Sequence, residues 1–232
     1  MSVKGLLFDF NGTLFFDSEC HIQAFNKCFE LYGIEPRERS FMINNFFGKT
    51  NELICKGYYV PNATDEDVKR YDLIKEEAYM EKCLELPDKL CLCRGAADML
   101  DYIKDKGIPY CIATGSPAQN VEFYFKHLGL GKWFNSDNLV YADGSFKSKP
   151  APDCYNIAAQ RLGLAAEDCA VFEDGTSGIL AANAAGAGKV IAVWESGIPS
   201  PLTDNTRVDE IHHDLSDWKG ILSRLGFDVT ER

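Results

Sequence analysis

Four short stretches of this 232-residue chain set reactive side chains beside glycine or proline. In the first, the apolar run Gly5-Leu6-Leu7-Phe8 ends at Asp9, and the polar turn Asn11-Gly12-Thr13 follows Phe10. A buried strand that delivers one carboxylate at its C-terminal tip is how open α/β sheets present a group to a ligand. In the second, Thr114-Gly115-Ser116-Pro117 closes a short apolar run. Ser116 suits a helix cap and Pro117 a first helical turn, so free N–H groups with the Thr114 hydroxyl would cradle an anion. In the third, Pro150 and Pro152 flank the chain after Lys149 and hold that lysine on a stiff mount, whereas Lys147 reads as a solvated side chain. The fourth is Glu173-Asp174-Gly175-Thr176, an acidic pair before a glycine. It suits a hard cation such as Mg²⁺, which takes one or two protein carboxylates and keeps several waters. Taken singly, the same stretches also read as an Asx-turn, a helix cap, a surface lysine and a common acidic turn.

Taken together they fit one chemistry. A carboxylate nucleophile splits a difficult displacement at phosphorus into two easier ones through an aspartyl-phosphate. Its own charge would repel an anionic phosphate, so a cation and a lysine must neutralise the site. Thr114 and backbone donors would then hold the equatorial oxygens in the transition state.

The elements that must position these groups follow from periodicity. After Asp17-Ser18 the apolar residues Ile22, Phe25, Phe29 and Tyr32 keep helical spacing up to Gly33. No convincing strand appears before residue 88. A second helix begins near Thr64, with Asp67 three positions on to complete a capping box and Val68, Tyr71, Ile74 and Ala78 along one side. From Leu92 onward strands and helices alternate: helices at 96–105, 117–127, 153–162, 176–185 and 218–225, strands at 108–113, 139–141, 170–172 and 190–193. Such alternation implies a parallel sheet with helices on both faces. The expected fold class is α/β, a doubly wound, Rossmann-like parallel sheet. Residues 1–15 and 89–232 would form the core domain, and residues 16–88 an all-helical cap domain inserted after the first strand.

Composition narrows the partners. With 24 Lys and Arg against 35 Asp and Glu, the net charge of −11 argues against a nucleic-acid surface. No apolar stretch approaches the length of a membrane span, and Met1-Ser2-Val3-Lys4 leads straight into a strand, so a cytoplasmic protein is expected. Nine scattered cysteines, with Cys91 and Cys93 only one residue apart, read as small core hydrophobes rather than a disulfide framework or a metal motif. No obligate protein partner is evident. The expected partner is a small phosphorylated metabolite.

With these motifs in this order, the chain resembles the haloacid dehalogenase superfamily over essentially its whole length. It resembles in particular the β-phosphoglucomutase-like and phosphatase branch that carries a small helical cap. The resemblance implies that Asp9 is the nucleophile and a Mg²⁺ ligand, and that Asn11 lends its backbone carbonyl to the metal. Asp174 would be a ligand, and Glu173 would be one directly or through water. Thr114 and Lys149 would bind the transferring phosphate, with Gly115 and Ser116 on the substrate side. In the helical segment, His21, the loop Gly48-Lys49-Thr50-Asn51, and Lys75 with Tyr79 look like that branch's substrate contacts. Read from the residues alone, His21 is a half-buried helix position and Lys75 a solvated one.

One position departs from the pattern. Where most phosphatases and mutases of the family carry a second aspartate as general acid and base, this chain has Asn11. An amide forms hydrogen bonds but has no proton to exchange, and the loss of such an acid typically costs about 10²–10⁴ in rate. Another group takes over, or the substrate has a leaving group that needs no acid, or the protein binds phosphorylated ligands with little turnover. The leading expectation is a Mg²⁺-dependent phosphomonoester hydrolase acting on a small phosphorylated metabolite such as a sugar phosphate. A β-phosphoglucomutase-like phosphomutase and a catalytically weak phospho-ligand-binding protein are the alternatives.

Overall fold

A computed structural model describes residues 3–229. The chain divides into two compact units, one built from the residues up to Phe16 and from Cys91 on, the other Asp17–Leu90.

In the first unit the described residues form a six-stranded, all-parallel sheet of β1 (Gly5–Phe8), β2 (Tyr110–Pro117), β3 (Leu139–Ala142), β4 (Cys169–Glu173), β5 (Lys189–Val193) and β6 (Glu210–His212). The order is β3-β2-β1-β4-β5-β6, so the chain lays down one half of the sheet, returns to the middle, and builds the other half. That reversal leaves a crevice at the C-terminal ends of β1 and β4, the place where open α/β sheets bind ligands. Strand β1 carries no polar side chain because both its faces are covered: Leu6, Leu7 and Phe8 are all fully buried. Phe8 stacks on Phe172 of the neighbouring strand at 4.7 Å between centroids. Leu7, on the opposite face, joins Cys111, Val171 and Val190 in the main core, together with Tyr155, Ala158, Ile179 and Ala182 from helices of this unit.

The second unit is all-helical among its described residues: α1 (Ser18–Leu31), α2 (Arg39–Asn45), α3 (Asn51–Ile54), a π turn at Cys55–Tyr59, and α4 (Asp65–Glu85). The expected capping box at Thr64 and Asp67 opens α4. The buried stripe of α4 differs from the expected one. It runs through Tyr71, Lys75, Ala78, Tyr79 and Cys83, while Val68 and Ile74 are only half-buried. Tyr71, common to both stripes, meets the rings of Tyr59 and Tyr32. Periodicity also gave no sign of α2, α3 or the π turn, which are too short to repeat a face.

The remaining helices belong to the first unit: α5 (Ala96–Asp105), α6 (Ala118–Leu128), α7 (Asp153–Arg161), α8 (Thr176–Ala184) and α9 (Trp218–Arg224). They match the sequence expectation within about a residue at each end. All nine cysteines are free thiols, eight of them buried, as small core hydrophobes should be. No helix of the described residues is long and apolar enough to cross a membrane.

Candidate active site

Register places the acidic groups. Phe8 pairs with Ile112 on one side and Phe172 on the other, and the Asp9 N–H continues the ladder by donating to the Phe172 carbonyl at 2.9 Å. Asp9 therefore emerges one residue past β1, beside Glu173 at the tip of β4. Between them sits Lys149, whose Nζ donates to Asp9 Oδ1 at 2.6 Å and to Glu173 Oε1 at 2.5 Å. Burial works against the ammonium, but the charges of Asp9 and Glu173 outweigh it and hold the Lys149 pKa above the ordinary lysine value. A lysine pinned between two carboxylates is the counter-charge that an anion would need on approaching Asp9.

Glu173 is held on every side. Oε1 also accepts from the Tyr155 hydroxyl at 2.6 Å, and Oε2 accepts from the backbone N–H groups of Asp174 at 3.0 Å and Gly175 at 3.1 Å. With Lys149 that makes four donors, as many as the lone-pair positions of a carboxylate. Burial pushes the Tyr155 phenol well above its usual pKa, and the neighbouring Glu173 and Asp9 charges add to it, so it stays a donor. Two glycines make the carboxylates fit. A Cβ on Gly178 would lie 1.7 Å from Glu173 Oε1, and one on Gly12, whose φ is +78°, would lie 2.0 Å from Asp174 Oδ2. The Thr13 hydroxyl donates to Asp174 Oδ1 at 3.4 Å.

Thr114-Gly115-Ser116 does not form the expected helix cap. β2 runs on to Pro117, and its pairing with β3 steps from Ala113–Val140 to Pro117–Ala142, so the motif occupies a bulge. Bulges of this kind re-aim side chains beside active sites. Helix α6 starts after Pro117 with no side-chain cap. The Ser116 N–H is taken by the Thr114 hydroxyl at 3.1 Å. Ser116 Oγ turns instead to Asn11, donating to Oδ1 at 2.6 Å, while Asn11 Nδ2 donates to the Tyr124 hydroxyl at 2.8 Å. A cavity of about 70 Å³ opens beside the bulge, lined among others by Thr114, Gly115, Phe146, Ser148, Lys149 and Cys154.

Among the described residues, Asp9, Glu173 and Asp174 each offer a carboxylate oxygen within 4.8 Å of the others, a grouping able to hold a metal ion. The donor set is all oxygen, which fits a hard cation. Because Glu173 already accepts four hydrogen bonds, Asp9 and Asp174 are the carboxylates better placed to act as direct ligands.

Of the predicted residues of the helical unit, His21, Lys49 and Lys75 pack against side chains of that same unit. His21 stacks on Tyr79 at 4.3 Å, and its Nε2 lies 3.2 Å from Asp17 Oδ2, which also accepts from the Tyr79 hydroxyl at 2.5 Å. Lys75 is not solvated as its type suggests. It is 4 % exposed, donates to the equally buried Glu76 at 2.8 Å, and lies over the rings of Phe25 and Tyr79. Glu76 also accepts from Asn51 Nδ2 at 3.0 Å. In the loop, Gly48 adopts a φ of +76°, Lys49 lies over the Tyr58 ring, and Thr50 caps α3 by accepting from the Leu53 N–H. The structure thus brings Asp9, Asn11, Thr114, Gly115, Ser116, Lys149, Glu173 and Asp174 to one end of the sheet. His21, Gly48, Lys49, Thr50, Asn51 and Lys75 lie in the other unit. Sequence reading missed Tyr124 and Tyr155, which offered no signal beyond following their motifs by a few residues. It also missed the steric roles of Gly12 and Gly178.

A sequence model of the haloacid dehalogenase-like hydrolases matches residues 3–186. The chain belongs to this family. Fructose-1-phosphate phosphatase YqaB of Escherichia coli (strain K12) is 32 % identical to this haloacid dehalogenase-like hydrolase over 184 residues, 78 % of this chain and 92 % of that protein. Among solved structures, a family IA, variant 3 hydrolase from Entamoeba histolytica HM-1:IMSS is 32 % identical with a TM-score of 0.81, covering 93 % of this chain and 95 % of that one. A β-phosphoglucomutase from Clostridium difficile, 19 % identical with a TM-score of 0.74 over 96 % of this chain and 97 % of its own, shares the fold.

Proposed function

We propose that this hydrolase is a Mg²⁺-dependent phosphatase that releases inorganic phosphate from a small phosphorylated metabolite, a sugar phosphate in the first instance. The observation that carries the reading is Lys149 bound at once to Asp9 and Glu173, next to an acidic trio able to hold a cation. An Asp9 oxygen attacks phosphorus, and the bond from phosphorus to the leaving oxygen breaks with its electron pair going to that oxygen. Water then attacks the aspartyl-phosphate, the bond to Asp9 breaks, and the carboxylate is restored as phosphate departs. Lys149 and the Thr114 hydroxyl steady the phosphoryl oxygens through both displacements. Asp9, Asp174 and the Asn11 carbonyl would hold Mg²⁺, which would supply the charge that lets one anion approach another. A relative named as a phosphatase of fructose 1-phosphate supports phosphate release from a phosphorylated metabolite. In this reading residues 17–90 are a cap domain whose His21, Gly48–Asn51 loop and Lys75 contribute to substrate choice, and the enzyme is cytoplasmic.

The test is a screen of phosphorylated metabolites with Mg²⁺ that reads orthophosphate. We expect release from a subset, abolished by EDTA and by Asp9→Asn. Turnover that survives either treatment overturns the reading. Incubation with β-glucose 1-phosphate and a bisphosphate primer separates it from a mutase, because formation of glucose 6-phosphate would replace hydrolase with phosphomutase.

A further inference from the structure

Asn11 is gripped at both ends of its side chain by neutral hydroxyls. Ser116 donates to its oxygen at 2.6 Å, its nitrogen donates to Tyr124 at 2.8 Å, and the two hydroxyl oxygens approach each other to 3.5 Å. Tyr124 is 1 % exposed and is wedged against the rings of Phe10 and Phe15 at 4.7 and 6.0 Å, so this ring of three groups is anchored in the core. The amide presents one fixed orientation and has no proton to exchange. The carboxylates at these strand ends are engaged as hydrogen-bond acceptors. Asp9 Oδ1 accepts from Lys149, Glu173 accepts from four donors, and Asp174 Oδ1 accepts from Thr13.

Resting on the phosphatase reading, we propose that the substrate carries its phosphate on an oxygen acidic enough to leave without a proton. The chemical class is an acyl phosphate, the anomeric phosphate of a sugar or a phosphoanhydride, rather than the phosphate of a primary or secondary alcohol. In the first displacement the leaving oxygen departs with the electron pair of its bond to phosphorus, as a carboxylate, a hemiacetal oxyanion or a phosphate, and takes any proton later from water. The second displacement makes the same demand. The aspartyl-phosphate is itself an acyl phosphate, so water displaces the Asp9 carboxylate, and the proton lost by that water ends on the released phosphate or in solvent. Neither half needs a general acid at residue 11.

The experiment compares kcat/KM for acetyl phosphate, β-glucose 1-phosphate, pyrophosphate, a series of aryl phosphates of graded phenol acidity, glucose 6-phosphate and glycerol 3-phosphate. For the wild type we expect a steep fall as the leaving oxygen becomes less acidic. The acyl, anomeric or anhydride substrate should exceed the alkyl esters by about 10²–10⁴, the span that a missing general acid accounts for. The highest of those three identifies the source. Asn11→Asp should narrow that ratio by at least about a hundredfold, because a carboxylic acid helps poor leaving groups most. Tyr124→Phe should leave the ratio as wide as in the wild type. A flat wild-type series, or a ratio that widens in Tyr124→Phe, would reveal a working proton donor and overturn the inference. Should Asn11→Asp not fold, the wild-type aryl series decides alone. Failure of every phosphate in the set, aryl esters included, would remove the phosphatase reading itself and this inference with it.

Discussion

Glu173 sits under the tightest local constraints in the site, and its surroundings give two predictions. Tyr155→Phe withdraws one of four donors from a carboxylate that is 2 % exposed, and should cost about 1–3 kcal/mol in urea unfolding. It should also lower kcat/KM, because Glu173 helps hold Lys149. Gly178→Ala puts a methyl group where the carboxylate lies, with no room to spare. It should destabilise by about 1–3 kcal/mol and depress phosphate release at the same time, readable in one preparation by thermal melting and a phosphate assay. At this scale Asp9 and the acidic pair were legible because each ends an apolar run ahead of a glycine-containing turn, and Lys149 because Pro150 and Pro152 follow it. Tyr124 and Tyr155 were not, since nothing in a helical sequence says which distant hydroxyl or carboxylate its aromatic will reach. Lys75 was misjudged for a related reason. A lysine is assigned to solvent by type, and only the fold shows Glu76 and two aromatic rings assembled around it.

Elements were easiest to anticipate where they are long or repeat. The alternation after Leu92 fixed the sheet, and α1, α4, α5, α7 and α8 begin close to where their caps and periodicity put them. The strand at Tyr110 extends four residues beyond the expected end because a bulge keeps it paired through Thr114-Gly115-Ser116, and a bulge leaves no periodic signature in the sequence. Strand β6, with the residues Glu210-Ile211-His212, escaped notice for lack of an apolar run. The capping box of α4 gives a prediction of its own. Thr64→Ala removes the acceptor for the Asp67 N–H on an exposed helix end and should cost about 0.5–2 kcal/mol in chemical unfolding. The Thr64 hydroxyl makes its hydrogen bonds within that cap, to Asp67, so kcat should stay unchanged.

At the scale of the whole molecule, ligand and proton both link to folding. If Asp9 and Asp174 bind Mg²⁺ only when folded, Mg²⁺ at a hundred times its Kd should add about 2.7 kcal/mol of stability. Asp174→Asn should lose most of that gain in a thermal shift titration, a readout independent of turnover. Protons act on the far side of the sheet. Burial disfavours the charged forms of Asp209 and Glu210, yet Lys189 and the Val190 N–H for one, and Arg224 and His212 for the other, hold both pKa values below the ordinary carboxyl range. A group whose folded pKa is lowered contributes fully above its unfolded value, about 4, and loses that contribution as pH falls through the folded one. Urea midpoints should therefore drop on acidification in this range, with a shallower slope in Asp209→Asn. The same corner bears on solubility. A parallel sheet must stop somewhere, and its unsatisfied rim invites another polypeptide to pair and propagate. Here the rim on one side is only the three residues of β6, Ile211 is the sole apolar side chain among them, and the Glu210–Arg224 ion pair with the His212 ring stands around it as a polar hedge. An incoming strand would find too short a foothold to hold, so concentrated solutions of this enzyme should resist fibrous association along that margin.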